Sequence, residues 1–217
     1  MAAKIITCTC SRCGKPNPVP LVEGVDVSKE PELRSQVLNA SIFRYQCASC
    51  RTINWISYPF LYHDPSRRFM VQLVDPRETG DPFLKAFSSG NETDEALKGV
   101  VADMKNRYNL RTVHTPNELM EKIQIFEAGF DDRLLEIYKH EIIAGEQTRR
   151  IIALWFHTAK ETGPFFYVED PEGIHEGIAI KRVRYEALQE EYKDLDQDRS
   201  ETLIDQAWAI RHTKQTA

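Results

Sequence analysis

Cys10-Ser11-Arg12-Cys13-Gly14 and Cys47-Ala48-Ser49-Cys50-Arg51 are two Cys-x-x-Cys pairs with thirty-three residues between Cys13 and Cys47, and their reading decides the fold of this 217-residue chain. Zn2+ takes four ligands at tetrahedral corners. Two knuckles, each offering two thiolates from one tight turn, supply them without a preformed cavity. Gly14, directly after the second cysteine, suits a turn that needs positive φ. Cys10, Cys13, Cys47 and Cys50 are therefore read as a Zn2+ site. Four thiolates fill the tetrahedron and leave no position for water, so the metal is read as structural, not catalytic. The competing readings are a redox dithiol and four unmodified buried thiols. A redox pair belongs at a helix start in a βαβ setting, whereas both pairs here end strand-like runs. Cys8 lies two residues before Cys10 and so on the same strand face. It reads as a small buried hydrophobe, with a substitute ligand as the alternative.

Around the cysteines the pattern is β-rich. Ile5 and Ile6 lead into the first knuckle, 19–27 forms a second run, 41–47 enters the second knuckle and 52–58 leaves it with alternating apolar residues. Between them, 29–39 carries Pro31 near its start and leucines 33 and 38, the marks of a short helix. The expected module, residues 1–75, is a zinc ribbon with a helical insert, closed by a strand over 68–74. Residues 76–92, rich in Pro, Gly, Ser and Asp, read as a linker or long loop. A helical segment follows over 93–145, with a short strand over 110–113 inside it. Its first stripe is Leu97, Val100, Val101, Met104 and Tyr108, and Thr115-Pro116-Asn117-Glu118 starts its second helix as a capping box. The last region, 146–217, is α+β, with strands over 151–156, 165–168 and 174–180, then helices around 185–195 and 203–208. The fold class is α+β, and no internal repeat or low-complexity block stands out.

The formal net charge is −5, unevenly spread. Residues 1–80 hold ten Lys/Arg against seven Asp/Glu, and the rest hold eighteen against twenty-six. That weighs against a nucleic-acid coat, which needs a concentrated basic surface. Lys4, Arg12, Lys15, Arg44, Arg51, Arg67 and Arg68 leave the cysteine-bearing end mildly permissive, with ordinary solvated charge as the plainer account. No apolar run approaches the ~20 residues that span a membrane, and the start lacks a secretory leader. The cytoplasm is therefore the expected compartment, and there paired cysteines are more often metal ligands than disulfides.

Other chemistry is thinner. His63-Asp64 can be a base or a second metal site, but neighbours on a strand point to opposite faces and Asp before Pro65 opens turns. Glu121, Lys122, Glu127, Asp131 and Asp132 border the middle helices, where Asp131 and Asp132 fit a helix N-terminus. His140-Glu141 lacks the second histidine of a zinc-protease helix, and no phosphate loop, nucleophile elbow or dinucleotide fingerprint occurs.

The paired cysteines, Tyr58-Pro59-Phe60-Leu61-Tyr62-His63-Asp64, Phe69-Met70-Val71, Asn117 to Phe126 and Gly129-Phe130-Asp131-Asp132-Arg133 together resemble the bacterial and archaeal CpXC protein family over about residues 5–140. Ser11 and Ala48 stand where that family's name places proline, a residue that stiffens a knuckle but binds no metal. The resemblance implies a zinc-binding N-terminal region and no assigned activity. The expectation is thus a non-catalytic, cytoplasmic zinc protein acting as an interaction or adaptor module, with a protein partner or a second copy of itself. The alternatives are a metal-dependent hydrolase using His63, Asp64 and nearby acidic residues, or a nucleic-acid-binding zinc ribbon.

Overall fold

The computed structural model describes residues 4–78, 80–87, 95–159, 161–197 and 200–213. Among them the chain is mixed α+β, with seven α-helices and four small sheets. It forms two compact units, Met1–Met120 and Glu121–Ala217.

The first unit begins with a hairpin of β1 (Lys4–Thr9) and β2 (Pro16–Leu21). In β2 the prolines 16, 18 and 20 alternate with buried Asn17, Val19 and Leu21. Proline has no N–H, so the edge of β2 turned away from β1 offers no donors and the sheet stops at two strands. This is why the run expected over 19–27 divides: β3 (Gly24–Asp26) joins a different sheet. Helix α1 (Pro31–Leu38) starts on Pro31, as expected of a residue with no N–H to leave unpaired, and buries Val37. A 3-10 turn over Ser41–Phe43 leads to a second hairpin of β4 (Arg44–Gln46) and β5 (Ile53–Trp55).

The four-stranded sheet has the order β3-β6-β7-β8, with β6 (Phe60–Asp64), β7 (Phe69–Leu73) and β8 (Asn109–Val113). Its outer pairs are parallel and β6-β7 is antiparallel. Parallel neighbours need long crossovers; the one joining β7 to β8 contains α2 (Pro82–Phe87) and α3 (Glu95–Arg107). Helix α2 lies inside the stretch expected to be linker, because Phe83 and Leu84 pack with Met70, Val101 and Leu110. Residues 79 and 88–92 of that stretch lie outside the described residues, as does the side chain of Leu97. Along α3, Val101 is buried while Val100 is exposed. The capping box forms as read: Glu118 accepts from the Thr115 and His114 amides, and Thr115 Oγ1 accepts from the Glu118 amide.

Helix α4 (Pro116–Glu127) contains the division between the units. It ends at Gly129, whose φ of 77° lets the Gly129 and Phe130 amides fold back to the carbonyls of Phe126 and Ile125. In the second unit, α5 (Asp132–Gly145) is capped by Asp131, and the antiparallel sheet has the order β11-β10-β9. Its strands are β9 (Ala153–Ala159), β10 (Gly163–Asp170) and β11 (Gly173–Ala179). Leu154, Phe156, Phe166 and Val168 face a core shared with Leu135 and Ile137 of α5. Tyr185 and Leu188 come from α6 (Arg182–Glu191) and Trp208 from α7 (Gln206–His212). The last helix starts later than expected, since Asp205 caps it and Leu203 and Ile204 precede it.

Candidate metal centre

Each hairpin ends in one Cys-x-x-Cys knuckle, and the two knuckles have the same backbone. The Cys10 amide donates to the Lys15 carbonyl at 3.0 Å, and the Gly14 amide returns to the Cys10 carbonyl at 3.0 Å. In the second knuckle Cys47 donates to Thr52 at 2.9 Å and Arg51 to Cys47 at 3.0 Å. The residue after the second cysteine is left-handed in both: Gly14 at φ 68° and Arg51 at φ 62°. Glycine takes that conformation freely, whereas arginine holds it against its own Cβ.

The four expected residues converge. Their ligand atoms all lie within 4.8 Å of one another. The Sγ of Cys10 is 3.6 Å from that of Cys50, and Cys13 Sγ is 3.7 Å from Cys47 Sγ. A tetrahedron with Zn–S of about 2.3 Å has S···S edges of about 3.8 Å. The donor set is thus the right size and softness for a thiolate-bound metal ion. Cys8 is not in the group; its place in β1, opposite Asn17, corresponds to that of Tyr45 opposite Asn54 in β4.

The thiols do not share charge evenly. The Cys13 amide, with help from Arg12 and Asn54 and against burial, holds Cys10 down to about 6. Amides of Cys50 and Ser49 lower Cys47 in spite of burial. For Cys13 the Lys15 amide favours the thiolate, but burial and the sulfurs of Cys50, Cys47 and Cys10 push it up to about 11. Like charges this close resist ionising together; a cation at their centre removes that conflict. The first cysteine of each knuckle is buried, while Cys50 is half-buried and Cys13 exposed.

Two residues that sequence reading passed over complete the centre. Asn17 and Asn54 are 4% and 5% exposed and place Nδ2 3.6 Å from the Sγ of Cys47 and Cys10 respectively. The signal was present as Cys-x-x-Cys-x-x-x-Asn, which occurs at 10–17 and again at 47–54. With three fixed residues in eight it is too short to announce itself, so the chain does contain a small internal repeat.

The other candidates do not assemble with these. His63 Nδ1 is 3.7 Å from Asp26 Oδ2 and its ring packs on Tyr108, whereas Asp64 faces the other way. Asp64 Oδ1 accepts from Ser66 and from the Arg67 amide, and Oδ2 pairs with Arg67 at 2.8 Å, the turn-opening role. In the second unit Lys122 Nζ lies 3.0 Å from Asp132 and 3.2 Å from Glu136. Lys139 Nζ lies 2.7 Å from Glu121 and 3.0 Å from Glu136. Glu121 also accepts the Phe156 amide at 2.5 Å. Asp131 caps α5 and pairs with Arg133, and Glu141 pairs with Arg184. Among the described residues the four cysteines are the group of His, Cys, Asp or Glu side chains placed to hold a metal ion.

A family model described as CpXC protein matches residues 8–139. No curated protein matches the chain, and neither does any solved structure.

Proposed function

The chain belongs to the CpXC protein family, and from that premise we propose that it is a cytoplasmic zinc-ribbon protein whose metal is structural and whose work is to bind another protein. The observation that carries this reading is the closed donor set. Four thiolates within 4.8 Å of one another occupy every corner of a tetrahedral ion, so bound Zn2+ has no open position for water or substrate. Cys10, Cys13, Cys47 and Cys50 would hold it, and what it supplies is the cross-link between two hairpins. The contact surface for a partner is on those hairpins. Ile5 is 70% exposed, Ile53 58% and Trp55 63%; large apolar side chains this open, with Ile53 and Trp55 on either side of buried Asn54 in β5, are a feature of protein interfaces.

Elemental analysis of the purified protein tests the metal: one zinc per chain is expected, and loss of it in Cys47→Ser. Affinity capture from the native host then tests the role. Proteins retained by the wild type and lost with Trp55→Ala support it. One observation favours nucleic acid as a second reading: Arg44 lies 5.3 Å over the Trp55 ring, a cation-aromatic pair that can also stack a base. Salt-sensitive retention of oligonucleotide in place of protein would decide for that reading.

A further inference from the structure

Asn17 and Asn54 stand seven residues after the first cysteine of their own knuckles, and each reaches the other one. Asn54 Nδ2 donates to the Thr52 carbonyl at 3.0 Å and lies 3.6 Å from Cys10 Sγ. Its Oδ1 accepts the Ser11 amide at 2.8 Å and the Ser11 hydroxyl at 2.9 Å. Asn17 repeats the pattern about a pseudo-twofold axis. Its Nδ2 donates to the Lys15 carbonyl at 2.9 Å and lies 3.6 Å from Cys47 Sγ, while Oδ1 accepts the Ala48 amide at 2.9 Å. The same axis exchanges the Cys10–Cys50 contact with the Cys13–Cys47 contact.

A buried carboxamide is costly unless its donors and acceptor are met. Here both are met, and on each asparagine one donor goes to a sulfur and the acceptor grips the amide beside that sulfur. A neutral N–H aimed at a thiolate draws off charge without displacing the metal, and partners of this kind orient ligands and tune a centre. The choice of sulfur is selective, for the two that receive a carboxamide are the buried ones, Cys10 and Cys47.

We propose that Asn17 and Asn54 are reciprocal positioning residues of the metal centre: each fixes the opposite knuckle and moderates the charge on its first cysteine, so that the two carboxamides together set how fast metal leaves and how reactive the thiolates are. The proposal rests on the metal reading above. It adds that the centre is a crossed pair of clamps, in which neither knuckle is complete without the other.

Asn→Asp and Asn→Ala substitutions separate the two roles. Asn54→Asp keeps the shape and the acceptor for Ser11 but replaces the N–H by a charge beside Cys10; Asn54→Ala removes both contacts. Full-length protein is loaded with Co2+ for spectroscopy and with Zn2+ for release to a chromophoric chelator. In Asn54→Asp and in Asn17→Asp we expect the sulfur-to-cobalt charge-transfer band to move to lower energy and zinc release to quicken by about tenfold or more, with one metal still bound. The double alanine variant is expected to release zinc faster than either single variant but by less than the product of their effects, because each clamp needs the other. The NMR-active cadmium form of the wild type supplies a readout that no misfolding can confuse: through-bond coupling from cadmium to two asparagine side-chain NH2 groups. Absence of that coupling would overturn the proposal, as would a charge-transfer band unmoved in both aspartate variants. Wild-type protein that binds neither Co2+ nor Zn2+ would instead defeat the metal reading itself.

Discussion

The two units each cover a cluster of ionisable side chains, and they neutralise it in opposite ways. In the second unit Lys122 and Lys139 sit among Glu121, Asp132 and Glu136, all five less than a tenth exposed. Burial works against both ammoniums, but the carboxylates around them keep both protonated. The same lysines keep Glu136 low against its own burial, while burial, opposed by Lys139, raises Glu121. In the first unit the cysteine sulfurs are met by amides and carboxamides. Amide dipoles soften a thiolate; they do not cancel four of them. A cluster that brings its own counter-ions is complete when the chain folds, whereas one held by dipoles alone has room for an ion from solution.

The sharpest way to break this contrast is to withdraw the metal. Structural zinc contributes apparent binding energy of about 10–16 kcal/mol in small peptides. A strong chelator, or Cys47→Ser, is therefore expected to unfold the two hairpins while amides of α5 and of the β9-β10-β11 sheet stay protected. Hydrogen exchange read by residue, beside metal content, checks both halves; equal loss of protection in both units would erase the distinction. Lys139→Met is the matching experiment in the second unit. It strands Glu121 and Glu136 with one ammonium fewer and should cost about 3–5 kcal/mol. Because the counter-ions of this cluster are lysines of the chain, denaturant titrations should give the same loss with and without added zinc.

Smaller effects sharpen the comparison within the knuckles. Relieving the left-handed arginine through Arg51→Gly should stabilise the first unit by about 1 kcal/mol, and Gly14→Ala should destabilise it by about 1–2 kcal/mol. Thermal melts of the zinc-loaded protein read both signs. The smallest effect concerns pH. The Ser28 hydroxyl and Lys29 ammonium hold Asp26 down to about 2, below its ordinary 3.8. A folded pKa below the unfolded one gives stability that is complete above about pH 4 and lost as pH falls through about 2. Acid unfolding of Asp26→Asn should lack that component, and an unchanged acid limb would remove Asp26 from the account.

How much of this was legible in the sequence depended on how local the signal was. Pro31 at the start of α1 and the Thr115–Glu118 box are contacts within a few residues, and each reads directly. The four cysteines read because metal chemistry fixes their number and spacing. Helix α2 did not, since its composition resembles a loop and its packing partners, Met70 and Leu110, are distant in sequence. Lys122 and Lys139 were obscured for a related reason. A lysine is normally a surface residue, and only the arrival of Asp132, Glu136 and Glu121 around them reverses that expectation. Asn17 and Asn54 were hidden by distance, for each acts on the knuckle that it does not belong to.

The second hairpin lies wholly inside the connection between β3 and β6, which pair in parallel. Parallel pairs form slowly because their partners are far apart along the chain, and closing that distance costs chain entropy before any ladder bond is made. With a cation bound, the knuckles are already joined, β3 trails the first hairpin by only a few residues and β6 follows the second as closely. A bound ion would then act as a pairing guide, turning one long closure into two short ones.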